Sequence, residues 1–214
     1  MKDEVLAAMK FTGERIVPTD VGEHYATYRD HLARYVFATE WCFGKRVCDA
    51  ACGTGYGAAI LSGGAVEVHG VDVSEQALEY ARRINTFGGP HRFYRLDLER
   101  EPITEPYDVV VSFETIEHLE DPSLFLRSVS QVCREWFLFS IPLNDLTGNP
   151  FHRKVYRMED AKALTAAFFP GRPAAFFGQD TWIGRPSFQI TMGLQSESVK
   201  YAIVLVRMGD RPGP

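Results

Sequence analysis

The 214-residue sequence has no apolar run long enough to cross a bilayer. Its longest runs, such as Tyr201 to Val206, are strand-length, far short of the ~18 residues a span needs. It also lacks a Lys/Arg block, and a formal net charge of -5 offers no electrostatic footprint for long nucleic acid. A local patch leaves room for a short RNA, and no more. Cysteine is scarce: Cys42, Cys48, Cys52 and Cys133 show neither paired C-x-x-C spacing nor the density of a secreted scaffold. Free thiols in a reduced, cytoplasmic compartment are therefore expected. Asp3 and Glu4 interrupt the stretch in which a signal peptide would need an apolar core. Repeats and low-complexity tracts are absent.

What is present is the composition of one soluble domain, 45% apolar and 24% charged, sufficient to bury one sizeable core. Strand patterns fall near 45–50, 66–72, 91–96, 107–113 and 135–141, separated by helical patterns near 56–62, 75–85 and 123–132. That alternation predicts an α/β fold, a mostly parallel sheet with helices on both faces. Ahead of it, residues 1–10 read as a short helix. Residues 22–40 read as a longer one, with Tyr25, Tyr28, Leu32, Tyr35 and Val36 as its apolar face. After Pro142 come a polar loop, a helix near 158–168, a stop at Pro170 and Gly171, and late strands near 187–193 and 200–207. One domain over 1–214 is expected, with an N-terminal helical lid over 1–43 and a substrate-side loop and helix over 143–185.

The chemistry concentrates in VCDAACGTGYG, residues 47 to 57, where a carboxylate ends an apolar strand and three glycines follow within five positions. Such glycines let backbone N–H groups approach a ligand that a Cβ would push away. Gly53, Gly55 and Ala58 satisfy the loose dinucleotide pattern G-x-G-x-x-G/A. Asp49 argues for a different ligand, since it would repel a pyrophosphate but attract a cationic amino acid tail. For unit charges ~4 Å apart that effect is about 4 kcal/mol at a surface-like dielectric. S-adenosylmethionine, which carries an ammonium and a sulfonium, fits; the alternative is that Asp49 merely caps the turn. Asp72, seventeen positions after Gly55, is spaced to take both ribose hydroxyls of a nucleoside.

The run V-C-D-A-A-C-G-T-G-Y-G, then G-V-D-V-S, R-L-D-L-E and Y-D-V-V-V-S-F-E-T-I-E-H-L, resembles a class I S-adenosylmethionine-dependent methyltransferase over roughly residues 11 to 170. The resemblance implies a Rossmann-like, seven-stranded sheet whose last strand is antiparallel. It further implies that Asp49, Ala51, Gly53 and Gly55 hold the methionine moiety and that Asp72 with Val73 holds the ribose. Asp97 and Leu98 would border the adenine, and Phe113 and Glu114 would lie beside the cofactor. FTGERIVP, residues 11 to 18, resembles the opening segment of bacterial methyltransferases associated with glycan and natural-product pathways.

Methyl transfer to a hydroxyl needs a base, and His is suited to that at neutral pH. His118 and His152 are placed for it, with Glu117 as the alternative base; His24, His31, His69 and His91 are not. In FETIEHL, residues 113 to 119, Glu114, Glu117 and His118 would share one face if a helical turn began at Glu114. Ubiquinone-pathway O-methyltransferases share this E-x-x-E-H pattern. So do the methyltransferases of small-RNA 3′ ends, where a further His completes a metal site. The resemblance thus allows a divalent metal (magnesium, manganese or zinc) on Glu114, Glu117, His118 and His152. The expected activity is O-methylation of a small molecule or glycan. The alternatives are a metal-dependent small-RNA 2′-O-methyltransferase, an NAD-dependent oxidoreductase and a non-catalytic cofactor-binding module. The acceptor and the oligomeric state are not written in the residues.

Overall fold

The computed structural model describes residues 15–20, 22, 25–85, 89–145, 149–180, 190–193 and 199–209. The expected helix at 1–10, the first half of FTGERIVP, His24 and the start of the strand at 187–193 lie outside the described residues. The chain forms two compact units, Met1–Asp97 and Leu98–Pro214. Its architecture is the expected Rossmann-like α/β fold with a mixed sheet.

In the first unit, helix α1 (Tyr25–Cys42) precedes strand β1 (Arg46–Ala50), helix α2 (Tyr56–Leu61), strand β2 (Glu67–Asp72), helix α3 (Glu75–Ile84) and strand β3 (His91–Arg95). The strands run parallel in the order β3-β2-β1, with Asp49 opposite Gly70 and Asp72 opposite Arg95. This register brings the carboxyl ends of all three strands level, where ligands of open α/β sheets bind. Helix α3 forms where the sequence supplies every local signal. Ser74 caps it by accepting the Ala77 N–H, Glu75 sits in its first turn and Arg82 and Arg83 in its last, as the helix dipole favours. Its buried stripe is Ala77, Leu78, Tyr80 and Ala81.

Helix α1 departs from the expected pattern. Tyr35 is buried as expected, but Tyr25 and Val36 are exposed, and the other buried residues are Asp30, Ala33, Arg34, Ala38 and Cys42. Small and polar residues make up most of this face, so counting only large apolar side chains misplaced the stripe. Upstream, Val17 packs with Ala77 and Tyr80, and Thr54 Oγ1 donates to the Ile16 carbonyl at 2.7 Å. The second half of FTGERIVP is thereby fastened beneath the glycine turn.

The second unit holds β4 (Tyr107–Ser112), a 3-10 turn (Ile116–His118), α4 (Ser123–Val132), β5 (Cys133–Pro142), α5 (Met158–Phe168), β6 (Ala174–Asp180), β7 (Ile190–Met192) and β8 (Val199–Arg207). The order is β4-β5-β8-β6-β7. β4 and β5 pair in parallel, and β8, β6 and β7 continue the sheet antiparallel. The last strand is antiparallel as expected, but the described residues carry eight strands where seven were anticipated. The addition is β6, within the span read as substrate-side loop and helix. Its A-A-F-F run follows a Pro-Gly stop without alternation, and so short an apolar run does not distinguish strand from helix. Phe125, Phe137 and Phe169 form the core of this unit, with Phe137 edge-on to Phe125 at 6.2 Å and 5.3 Å from Phe169. No helix of the described residues is long and apolar enough to cross a membrane.

Candidate functional site

The turn after β1 is built from left-handed backbone: Ala51, Gly53 and Gly55 all have positive φ, at 63°, 54° and 76°. Its three glycines do three different things. A Cβ on Gly53 would meet nothing within 4 Å, so this is the glycine with open space before it. A Cβ on Gly55 would lie 2.6 Å from Ala81 Cβ and 2.8 Å from Phe93. The absence of a side chain at Gly55 is therefore what lets α3 and β3 pack against the turn. A Cβ on Gly57 would lie 2.0 Å from Cζ of Tyr35, so this glycine is the hollow in which the Tyr35 ring sits.

Asp49 is fully buried. One oxygen accepts from the Tyr35 hydroxyl at 3.0 Å, and Oδ2 has no hydrogen-bond partner among the described residues. Burial raises its pKa to about 7, the Tyr35 hydrogen bond lowers it, and the neighbouring Asp72 adds to the rise. A buried carboxylate with one unsatisfied oxygen is costly unless a cation or donor completes it, and the ammonium of an amino acid tail would do so. Asp72 is held at both oxygens, by the Gly53 N–H at 2.9 Å and the Ser74 N–H at 2.8 Å. A carboxylate oxygen carries two lone pairs, the acceptor chemistry that a ribose diol calls for. Val73 beside it is half-exposed. Asp97 follows β3 and is half-buried; the chain leaves β3 with the Leu96 N–H on the Asp72 carbonyl at 3.0 Å.

Three histidines of this unit are engaged elsewhere. His31 Nδ1 meets Tyr56 Oη at 3.0 Å, His69 Nε2 lies 2.9 Å from Glu67, and His91 Nε2 meets the Asn85 carbonyl at 3.0 Å.

In the second unit, Leu98 and Phe113 are buried. Glu114 follows Phe113 in left-handed backbone, φ 51°. Its N–H donates to Ser140 Oγ at 3.0 Å and Ser140 Oγ donates back to Oε1 at 2.7 Å. This conformation corrects the expected turn. Helical geometry starts only at Ile116, so Glu114 does not share a helical face with Glu117 and His118. The residues that do come together are Glu117, His118 and His152, whose ligand atoms lie within 4.8 Å of one another.

Backbone contacts fix that group. The Arg153 N–H donates to the Glu117 carbonyl at 2.7 Å, and His118 Nδ1 lies 3.1 Å from the Phe151 carbonyl. A carbonyl only accepts, so His118 carries a proton on Nδ1, and its Nε2 lies 3.8 Å from Glu117 Oε1. His152 Nδ1 lies 2.6 Å from Asp145 and its Nε2 3.1 Å from the Asn149 amide. The two rings meet edge to face at 4.9 Å. Glu117 is buried, and Tyr156 beside it is pushed up to about 12, first by its own burial and then by Glu117. Sequence reasoning named these three residues. It missed Asp145 and Asn149, which hold His152, Ser140, which holds Glu114, and the role of Tyr35. Only Asn149 and Asp145 left a trace, as members of the polar loop.

A family model described as a methyltransferase domain matches residues 48–135. The chain is 31% identical over 179 residues to a probable S-adenosylmethionine-dependent methyltransferase of Mycolicibacterium smegmatis, covering 76% of this chain and 66% of the relative. It is 33% identical over 102 residues to the ubiquinone biosynthesis O-methyltransferase of Bordetella bronchiseptica, covering 45% of this chain and 42% of the relative. The chain thus spans less than two thirds of the length of these curated relatives. Among solved structures, magnesium protoporphyrin IX methyltransferase from Synechocystis PCC 6803 with bound SAM matches with a TM-score of 0.61. The identity is 19%, over 88% of this chain and 82% of that one.

Proposed function

We propose that the chain is a class I S-adenosylmethionine-dependent methyltransferase, as its similarity to such proteins supports, and that it methylates a hydroxyl of a small molecule. The observation that carries the choice of acceptor atom is the setting of His118: its Nδ1 is held by a backbone carbonyl, and its Nε2 is the ring nitrogen that lies beside the buried carboxylate of Glu117. Similarity to an O-methyltransferase over about half of the chain supports the same choice.

Bound S-adenosylmethionine supplies a methyl group already activated on a sulfonium. Asp49 would face the ammonium of its tail, Gly53 would leave room for the ligand, and Asp72 would take the ribose hydroxyls, with Asp97 and Leu98 at the adenine. His118 Nε2 would accept the acceptor's hydroxyl proton while Nδ1–H stays on the Phe151 carbonyl, and Glu117 would stabilise the resulting imidazolium. His152, held by Asp145 and Asn149, would orient the acceptor.

A second reading is favoured by one further observation: the ligand atoms of Glu117, His118 and His152 lie within 4.8 Å of one another, and His118 is anchored through Nδ1, as metal-ligating histidines commonly are. Glu117, His118 and His152 offer a mixed oxygen and nitrogen set that fits a divalent cation. Glu114, tied to Ser140, does not belong to that set. Such an ion would lower the pKa of a bound hydroxyl. This reading extends the acceptors to vicinal diols, including glycans and a short RNA 3′ end.

The deciding experiment is release of S-adenosylhomocysteine with a panel of phenols, sugars, amines and short RNAs. Turnover on hydroxyl acceptors that is lost in His118→Ala, with cofactor binding retained, is the expected result. Turnover on amines alone would overturn it.

A further inference from the structure

We propose that Tyr35 is a positioning residue of the cofactor site: its hydroxyl holds Asp49 ionised and turned toward the ammonium of the bound methyl donor, making helix α1 part of that site. The inference rests on the methyltransferase reading above. Its basis is a fit between three elements. Tyr35 comes from the buried line of α1, and its ring occupies the hollow that Gly57 leaves at the start of α2. Tyr56 packs edge-on against it at 5.5 Å. The hydroxyl is thereby delivered to Asp49 Oδ1 at 3.0 Å, while the remaining oxygen has no hydrogen-bond partner among the described residues. One donor on one oxygen is what a carboxylate needs if the other is reserved for a ligand.

The groups facing Asp49 explain why the donor matters. Tyr35 and Cys42 approach from α1, Cys52 from the turn and Asp72 from β2. Among these, Cys42, Cys52 and Asp72 bring no positive charge. Burial and Asp72 favour the protonated acid, and Tyr35 opposes them. A protonated Asp49 has no charge with which to hold an ammonium. Tyr35 therefore sets the lowest pH at which the tail is bound well, and it does so without touching the ligand.

The test is calorimetric binding of S-adenosylmethionine from pH 6 to pH 9 by the wild type, Tyr35→Phe, Asp49→Asn and the double variant. Comparing wild type and variant at each pH cancels the ligand's own titration. Loss of one hydrogen bond to a charged group is worth about one pH unit, so Tyr35→Phe should bind about tenfold more weakly at pH 6 and within about twofold at pH 9. Asp49→Asn should bind weakly, with no dependence on Tyr35 when the two changes are combined. A Tyr35→Phe deficit equal at every pH would make Tyr35 a packing residue and overturn the inference. The same holds if the deficit persists undiminished in the double variant. A wild type that binds the donor at no pH would instead remove the cofactor reading on which both stand.

Discussion

Replacing Asp49 with Asn should stabilise the ligand-free protein, and the gain should grow with pH. Asp49 is raised from its ordinary value of 3.8 to about 7. The sign follows from linkage. A carboxyl whose folded pKa is raised leaves stability intact below its unfolded pKa and removes it as pH climbs through the folded pKa. At about 1.4 kcal/mol per unit, the penalty of ionising Asp49 deepens by about 2 to 3 kcal/mol between pH 5 and pH 8. Asn has the same shape and can accept the Tyr35 hydrogen bond, while its amide meets the same lack of a partner at either pH. Differencing the two proteins cancels every other titrating group. For a chain of this size, the Tm advantage of Asp49→Asn should widen by about 5 to 10 °C from pH 5 to pH 8. Thermal melts of both proteins without ligand, in matched buffers, make the measurement. An advantage that stays constant across pH would refute the buried ionisation, and with it the claim that this carboxylate is held at a cost for a cation.

The remaining glycines and ligands separate by similar reasoning. Gly55→Val should unfold or strongly destabilise the protein, by about 3 kcal/mol or more, because its side chain strikes Ala81 and Phe93; a normal melt would show that α3 can yield. Gly53→Ala has open space and costs only the left-handed strain of about 1 to 2 kcal/mol, so its defect should lie in cofactor affinity, read by calorimetry. Asp72→Ala should weaken the cofactor by roughly 1.5 to 3 kcal/mol for each ribose hydrogen bond lost, again by calorimetry, and also lower Tm because the Gly53 and Ser74 N–H groups lose their acceptor. Full turnover after exhaustive chelation would exclude the metal reading, whereas loss restored by added cation and abolished in His152→Ala would establish it.

The sheet and its order of elements were legible because period-2 and period-3.6 patterns alternate cleanly from Arg46 to Pro142, each bounded by Gly, Pro or a capping residue such as Ser74. Where large apolar residues were not the ones that mattered, legibility failed. Helix α1 buries Ala33, Ala38 and Cys42, which carry little hydrophobic weight in a pattern count, and β6 announces itself only by pairing with β8 and β7. The site was legible as a list of residues and not as an arrangement. E-x-x-E-H promised a shared helical face, but a positive φ at Glu114 cannot be read from a glutamate. The three glycines look alike in sequence, yet only their neighbours across the fold, Ala81 and Phe93 for one and Tyr35 for another, distinguish their purposes.

The turn carrying Glu117 and His118 is clasped to the loop carrying His152 by main-chain atoms at the loop end: the Arg153 N–H on the Glu117 carbonyl and the Phe151 carbonyl under His118. Neither clasp asks anything of the loop's side chains, and Arg153, Lys154 and Val155 point largely to solvent. Changes at these exposed positions therefore leave intact the main-chain contacts that hold His118, the base of the proposed reaction, so the outer face of the loop can vary without moving the imidazole.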